Sequence, residues 1–328
     1  TGVGYAVLSA NTTGDNCTAV GVNSMQANTT GNNNTAVGRN SLLSATTATR
    51  NTVVGSLAGD AITTGSTNTI VGYSAGGKIN TGYQNATVGD SSLANCTTGH
   101  DNACFGQDAG SQITTGARNE VMGAFAGDSL TTGADNIIIG FDAADNLTTG
   151  SQNIFIGTDT SASSASGGNQ IAMGINVTCS GNSNFTFGDG TNDSNIAFGA
   201  TSITAPSDIR LKEDIQDQEA GLSFINDLRP VTFRWKKEKD ISPELNAYKE
   251  GSEKRTMNEK VNHGFIAQEV KAVIDAHDEI KDGFGLWSED EADGRQRLGA
   301  SDLETILVKA VQELSAKVEE LETQLNGE

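Results

Sequence analysis

The chain has 328 residues and a mass of 34.0 kDa, with 41 acidic against 21 basic side chains and a net charge of −20. Such a surface repels phosphate backbones and anionic headgroups, which argues against general nucleic-acid binding and docking on acidic lipid. No run of about 18 apolar residues is present, so no segment reads as a membrane span. The length suits about two domains, but 5% aromatic residues and 39 glycines make an unusual globule. Cys17, Cys96, Cys104 and Cys179 show no CxxC spacing, so neither a zinc site nor a disulfide framework is indicated and no metal or cofactor is expected. The first residue is Thr and no leader is present, so the sequence reads as a piece of a longer chain.

Composition changes sharply near Thr204–Ser207. Before Ser207 lie 31 of the 39 glycines but only 4 of the 21 basic residues, whereas Pro206, Pro230, Pro243, Trp235 and Trp287 all fall at or beyond position 206.

The first part repeats every 17 residues. Stepping from Gly4 reaches Gly21, Gly38, Gly55, Gly72, Gly89, Gly106, Gly123, Gly140, Gly157 and Gly174 without a break. An apolar residue precedes each of them, from Val3 to Met173. Asn stands four residues before eight of them in succession, from Asn34 to Asn153, and a small residue such as Ala58, Ala75 or Ala109 often stands three after. Thr-Thr-Gly, as at 63–65 and 131–133, reads as a corner at which glycine tolerates positive φ. Asn-x-x-Val-Gly reads as a short strand. Stacked turns would align the Asn side chains in a ladder, and the density of Gly and Thr excludes helix.

A single coil of this kind buries little. Each turn offers about three inward apolar groups of roughly 1.5–3 kcal/mol each, against an ordering cost of about 1–2 kcal/mol per residue. Three chains sharing the Val-Gly edge would bury more, so the sequence predicts a parallel homotrimer. Its ten steps of about 4.8 Å give a shaft roughly 48 Å long. The pattern over 4–174 resembles the β-roll heads of trimeric autotransporter adhesins and similar repeats in phage fibres. The Thr residues sit at corners rather than in a flat ice-binding array. Calcium-loaded nonapeptides would need a nine-residue period and fixed Asp. The Asn-x-Thr triplets read as repeat chemistry rather than glycosylation sites. Beyond Gly174 the spacing contracts to Gly188 and Gly199, with Phe185, Phe187 and Phe198 nearby, which predicts a change of cross-section.

The second part begins Pro206-Ser207-Asp208-Ile209-Arg210-Leu211-Lys212 and continues through Leu228-Arg229-Pro230-Val231-Thr232-Phe233-Arg234-Trp235 to His263-Gly264-Phe265-Ile266-Ala267-Gln268-Glu269-Val270. Over 207–328 this order resembles the intramolecular chaperone domain of the S74 peptidase family. That domain ends many phage tail fibres and tailspikes and also occurs in myelin regulatory factors. The resemblance implies one self-cleavage per chain, at Pro206–Ser207, with Ser207 as nucleophile and Lys212 as its partner. A serine hydroxyl needs a base to take its proton, and a lysine serves as one only where burial or a nearby cation favours the neutral amine. His263, Glu269 and Asp208 are supporting candidates. Read without the family, Ser207-Asp208 is a cap for a helix starting near Ile209, Asp208 and Arg210 are an ion pair, and His263 is a structural or interchain hydrogen bonder. The charged stretch 236–260 reads as a solvated loop, or as an arm clasping a neighbour's shaft.

Near the end, Val311, Leu314, Val318, Leu321 and Leu325 step by 3, 4, 3 and 4, a heptad seam within a predicted coiled coil over 303–326. A helix packed on its own domain is the competing reading. The expected architecture is therefore an all-β trimeric solenoid shaft over 1–174, an irregular β neck and cleavage junction over 175–206, and a mainly α, α+β chaperone and peptidase domain over 207–328. The resemblance implies the distal part of a phage tail fibre, assembled in the host cytoplasm and carried on the virion. Its implied partners are two further copies, a host surface receptor (a glycan or outer-membrane component) and the rest of the fibre. Self-cleavage would be a single turnover, with no action on external substrates. A bacterial surface adhesin with the same repeat, and a chaperone domain retained uncleaved as a trimer cap, are the alternatives.

Overall fold

The computed structural model describes residues 1–280, 284–290, 294–299 and 301–327, and they form two compact units, Thr1–Leu211 and Lys212–Glu328.

The first unit is a β-solenoid with one short strand per turn: β1 (Gly2–Val3), β2 (Thr18–Val20), β3 (Thr35–Val37), β4 (Thr52–Val54), β5 (Thr69–Val71), β6 (Ala86–Val88), β7 (Ala103–Phe105), β8 (Glu120–Met122), β9 (Ile137–Ile139), β10 (Ile154–Ile156), β11 (Gln170–Gly174), β12 (Asn184–Gly188) and β13 (Ser194–Ala197). They pair in chain order, and from β1 to β11 every partner lies 17 residues on, as in Thr52 with Thr69 and Val54 with Val71. The expected period is thus the structural unit. The contracted spacing also has a structural meaning. One 14-residue turn keeps parallel register, with Gly174 opposite Gly188, and then β13 runs antiparallel to β12, with Phe185 opposite Ile196. Gly199 therefore does not continue the column of phased glycines.

The middle residue of each strand from β2 to β10 points inward. Ala36, Val53, Ile70, Cys104, Ile138 and Phe155 are fully buried, while their neighbours Val37, Val54, Phe105 and Ile139 are exposed. Two further inward columns fit together by volume. Four residues after the phased glycine stand Met25, Leu42 and Leu93, and three residues later the partner is small: Asn28, Ala45 and Cys96. Where the first position is Gly59, Gly76, Gly110 or Gly127, the partner is Ile62, Ile79, Ile113 or Leu130. A Cβ on Gly59 would lie 3.1 Å from Cδ1 of Ile62. Close packing makes such exchanges between neighbouring columns necessary.

The Asn ladder forms inside the coil. Asn51 donates from its backbone N–H and its Nδ2 to Oδ1 of Asn34, at 2.9 and 3.2 Å, and its Nδ2 also donates to the carbonyl of Gly65 at 3.0 Å. The same set recurs at each turn up to Asn153, and Gln170 N–H closes the series on Asn153 Oδ1. Beside it Thr29, Thr46, Thr97, Thr114 and Thr131 donate Oγ1–H to the carbonyl 17 residues later. The ladder amides from Asn51 to Asn153 are thereby satisfied, whereas Oδ1 of the buried Asn28 has no partner.

The glycines act differently from the sequence expectation. The phased glycines carry the positive φ: Gly72 sits at +144°, and a Cβ there would collide with the carbonyl oxygen of Gly89. In Thr-Thr-Gly the glycine is not left-handed. Gly65 is required because a Cβ would meet the Gly82 carbonyl of the next turn. Left-handed corners are instead made largely by other residues, such as Arg50, Leu57, Thr67, Ser74 and Phe125.

The second unit is α+β. It contains α1 (Leu222–Asp227), α2 (Ala267–Ala276), α3 (Ser301–Asn326) and two antiparallel hairpin pairs, β14 (Val231–Phe233) with β15 (Asn262–Gly264) and β16 (Trp287–Glu289) with β17 (Gln296–Leu298). Ala220, Phe224, Val270, Ile274, Ile280, Leu286 and Ile306 form its core. Glu313 accepts a hydrogen bond from the Leu222 backbone N–H at 2.8 Å, holding the start of α1 against α3.

Candidate functional site

Ser207, Asp208 and the residues around them lie on an exposed segment. Helix after Asp208 is limited to one 3-10 turn, Ile209–Leu211. Asp208 fixes that turn: its Oδ1 accepts from the Arg210 backbone N–H at 2.8 Å and from Arg210 Nε at 3.0 Å. The expected Asp208–Arg210 ion pair is present, and the Arg210 guanidinium lowers the Asp208 carboxyl below its ordinary range. Ile209 and Leu211 are both 71% exposed, so the turn carries an apolar face that its own unit does not cover. The unit boundary falls between Leu211 and Lys212, which places the two main candidates, Ser207 and Lys212, in different units. Both are exposed.

The supporting candidates are spread over the second unit. His263 is on β15, opposite Thr232, and lines a cleft of about 290 Å³ with Leu228, Phe233, Phe265, Leu286 and Leu303. Glu269, in the first turn of α2, is held by Arg229, whose Nε donates to it at 2.9 Å and whose charge lowers the carboxyl. The loop 236–260 is braced by ion pairs. Lys237 and Lys239 converge on Glu253 and lower its pKa to about 2, and Lys249 meets Glu238.

Helix α3 divides in two. Ile306 and Ala310 are buried against the rest of the unit, whereas Val311, Leu314, Val318, Leu321 and Leu325 are all exposed, Leu325 at 87%. The reading of a helix packed on its own unit holds for the first turns, and the seam beyond Ala310 is exposed in the single chain.

Sequence reasoning missed His277. It sits on Phe224 edge-on, with Nε2 3.0 Å from Asp227 and Nδ1 2.7 Å from Glu279. Both carboxylates raise its pKa above the usual histidine value. Glu279 is two residues away, but no local spacing announces Asp227, which comes from 50 residues away.

Among the described residues no cluster of His, Cys, Asp and Glu is arranged to hold a metal, and no helix is long and apolar enough to cross a membrane. The four cysteines are buried free thiols, and burial pushes Cys96 and Cys179 to about 12.

A solenoid of 17-residue turns followed by a small α+β unit with an open helical seam defines a fibre-type architecture. Residues 207–279 match the family model described as the chaperone of endosialidase, Peptidase_S74. The match and the solenoid before it fit a tail fibre with a C-terminal chaperone domain. Searches of curated proteins and of solved structures found no match.

Proposed function

We propose that this chain is the distal part of a bacteriophage tail fibre, a homotrimeric host-attachment shaft whose second unit drives trimerisation and then releases itself. The observation that carries this reading is the family match placed directly behind the solenoid. Two exposed apolar edges support the trimer: the row Val20, Val37, Val54, Val88, Phe105, Met122, Ile139 along the shaft, and the seam of α3. Both run parallel to a long element, as an interface between in-register copies would.

A folding aid suits such a shaft. Every turn resembles the next, so register between chains is weakly specified, and in-register pairing of separate chains is slow to nucleate. A unit that associates first sets the number of chains and their alignment. Its removal then leaves a trimer without the route by which it assembled, which is kinetic stability.

In the proposed cleavage Ser207 Oγ attacks the Pro206 carbonyl carbon while Lys212 takes the hydroxyl proton. The Pro206–Ser207 C–N bond breaks, the Ser207 nitrogen leaves as an amine, and water hydrolyses the resulting ester to a carboxylate on Pro206. In this reading assembly completes the site before cutting, in keeping with the exposure of Ser207 and Lys212 in the single chain. His263, Glu269 and Asp208 take positioning roles in this reading.

Mass analysis after denaturation tests it. Wild type should give pieces meeting at Pro206–Ser207, while Ser207→Ala and Lys212→Arg remain full length and trimeric. Cleavage at the same bond in Ser207→Ala would overturn the mechanism. A wild type that assembles without ever cutting would make the domain a retained cap.

A further inference from the structure

The outward face of the stacked strands changes character along the shaft. The residues on either side of the buried middle position share that face, because alternate residues of a strand point the same way. The position after the middle is apolar throughout, from Val20 to Phe187. The position before it is not. It is Thr in β2 to β5, small in β6 and β7, and Glu120 in β8. From there it is large and apolar: Ile137, Ile154, Ile171 and Phe185. Each rung from β9 to β12 therefore presents two large apolar side chains, where each earlier rung sets one beside a small, polar or charged group. Strand β13 adds Ile196, opposite Phe185.

Packing within one coil does not call for this change, because the core is filled from the inward columns in early and late turns alike. Val53 and Ile70 are fully buried, and so are Ile138 and Phe155. The outward residues Ile139 and Met173 stay exposed. Two observations say what covers them. The family match implies a homotrimeric fibre, so the neighbour at hand is a second copy of this chain. A copy laid parallel and in register brings equal rungs level, so that apolar meets apolar from β9 to β12. The same alignment brings Glu120 level with its own copies. Like charges on one rung repel, and close packing ends there.

We infer that the chains of the shaft pack on one another mainly through the outward face of β9 to β12, with two further copies of this chain as the occupants. The turns up to Glu120 form a weaker contact, since the gain scales with the apolar area removed from water. The inference rests on the homotrimer reading and gives it a place and a polarity. These are the last full turns before the chaperone domain in the sequence. Copies gathered by that domain meet first where their face is most apolar, and the contact spreads from there toward Thr18. Once the domain is released, the same rungs keep the shaft closed at its cut end.

Labelling of single outward thiols in the full chain, under reducing conditions, tests this. Ile139→Cys and Val37→Cys replace side chains that are 37% and 36% exposed in the single chain, so separate coils would label alike. The four native cysteines are buried. In the trimer the thiol at 139 should react with iodoacetamide at least about tenfold more slowly than the thiol at 37. Adding Ile137→Thr, Ile154→Thr and Ile171→Thr to Ile139→Cys should remove that protection. These changes install the residue that β2 to β5 already carry in that column, so each coil should keep its circular dichroism. Ala86→Thr with Ala103→Thr, made in the same column of earlier turns, should leave the protection intact. Equal labelling at 139 and 37 in a particle that light scattering shows to be trimeric would overturn the inference, as would protection that survives the three threonines. A monomer by light scattering would overturn the homotrimer reading itself.

Discussion

The two units solve the ordering problem in opposite ways. In the solenoid nearly every interaction joins a residue to its counterpart 17 positions on: strand pairing, the Asn ladder and the Thr bonds all share that separation. In the second unit the decisive contacts cross the sequence, as between Glu313 and Leu222, or between His277 and Asp227. The first design is extensible but ambiguous, since any turn satisfies its neighbour. The second is unique but cannot be lengthened. A fibre needs both, and the proposed chaperone role follows from their division of labour.

The harshest test of that contrast is deletion. Removing 72–88, one whole repeat, should leave a shorter shaft whose columns still meet, whereas removing eight residues from the same stretch should abolish folding by circular dichroism. Equal tolerance would show that the period is not the unit. Next in size is assembly: Leu314→Ser with Leu321→Ser should convert trimer to monomer or aggregate by light scattering, because the open seam loses one of its two layers. Normal trimers would remove α3 as the nucleating element.

A single ladder rung is a smaller perturbation. Asn102→Ala deprives the Asn119 backbone N–H and Nδ2 of their acceptor and the Gly116 carbonyl of a donor. The expected cost is about 3 kcal/mol in chemical denaturation. A null effect would mean that water replaces the rung.

The smallest effect belongs to the second unit alone. His277 has a folded pKa raised by Glu279 and Asp227 above the unfolded 6.5. Its contribution is full below that value and is lost as pH rises through the raised one. The melting temperature of this unit should fall across that interval, and His277→Gln should flatten the slope. An unchanged slope would show that the two carboxylates do not hold the imidazolium.

How much was legible follows from the same contrast. Repetition announces itself, so Gly72, Asn68 and Val71 stated register, ladder and outward edge together. The left-handed corners escaped notice because Arg50, Leu57, Thr67 and Phe125 share a conformation but no chemistry. The exchange of Leu42 and Ala45 for Gly59 and Ile62 was readable in principle, as two columns with opposed volumes. Glu313 and His277 were not readable, because nothing local binds them to partners 91 and 50 residues away. The candidate site was found from a resemblance, and the exposure of Ser207 and Lys212 had no signal in the residues themselves.

The reversed strand β13 carries a last consequence. A stack of parallel strands leaves a row of bare amides and carbonyls on its final rung, and such a row recruits the next chain it meets. Here that rung is taken by a four-residue strand of opposite polarity, and Thr204 folds back to exchange two backbone hydrogen bonds with Asn195, at 2.7 and 2.8 Å. A sister coil arriving in parallel finds a short lane running the wrong way. The hairpin is thus a stopper, limiting shafts that would otherwise graft end to end into filaments.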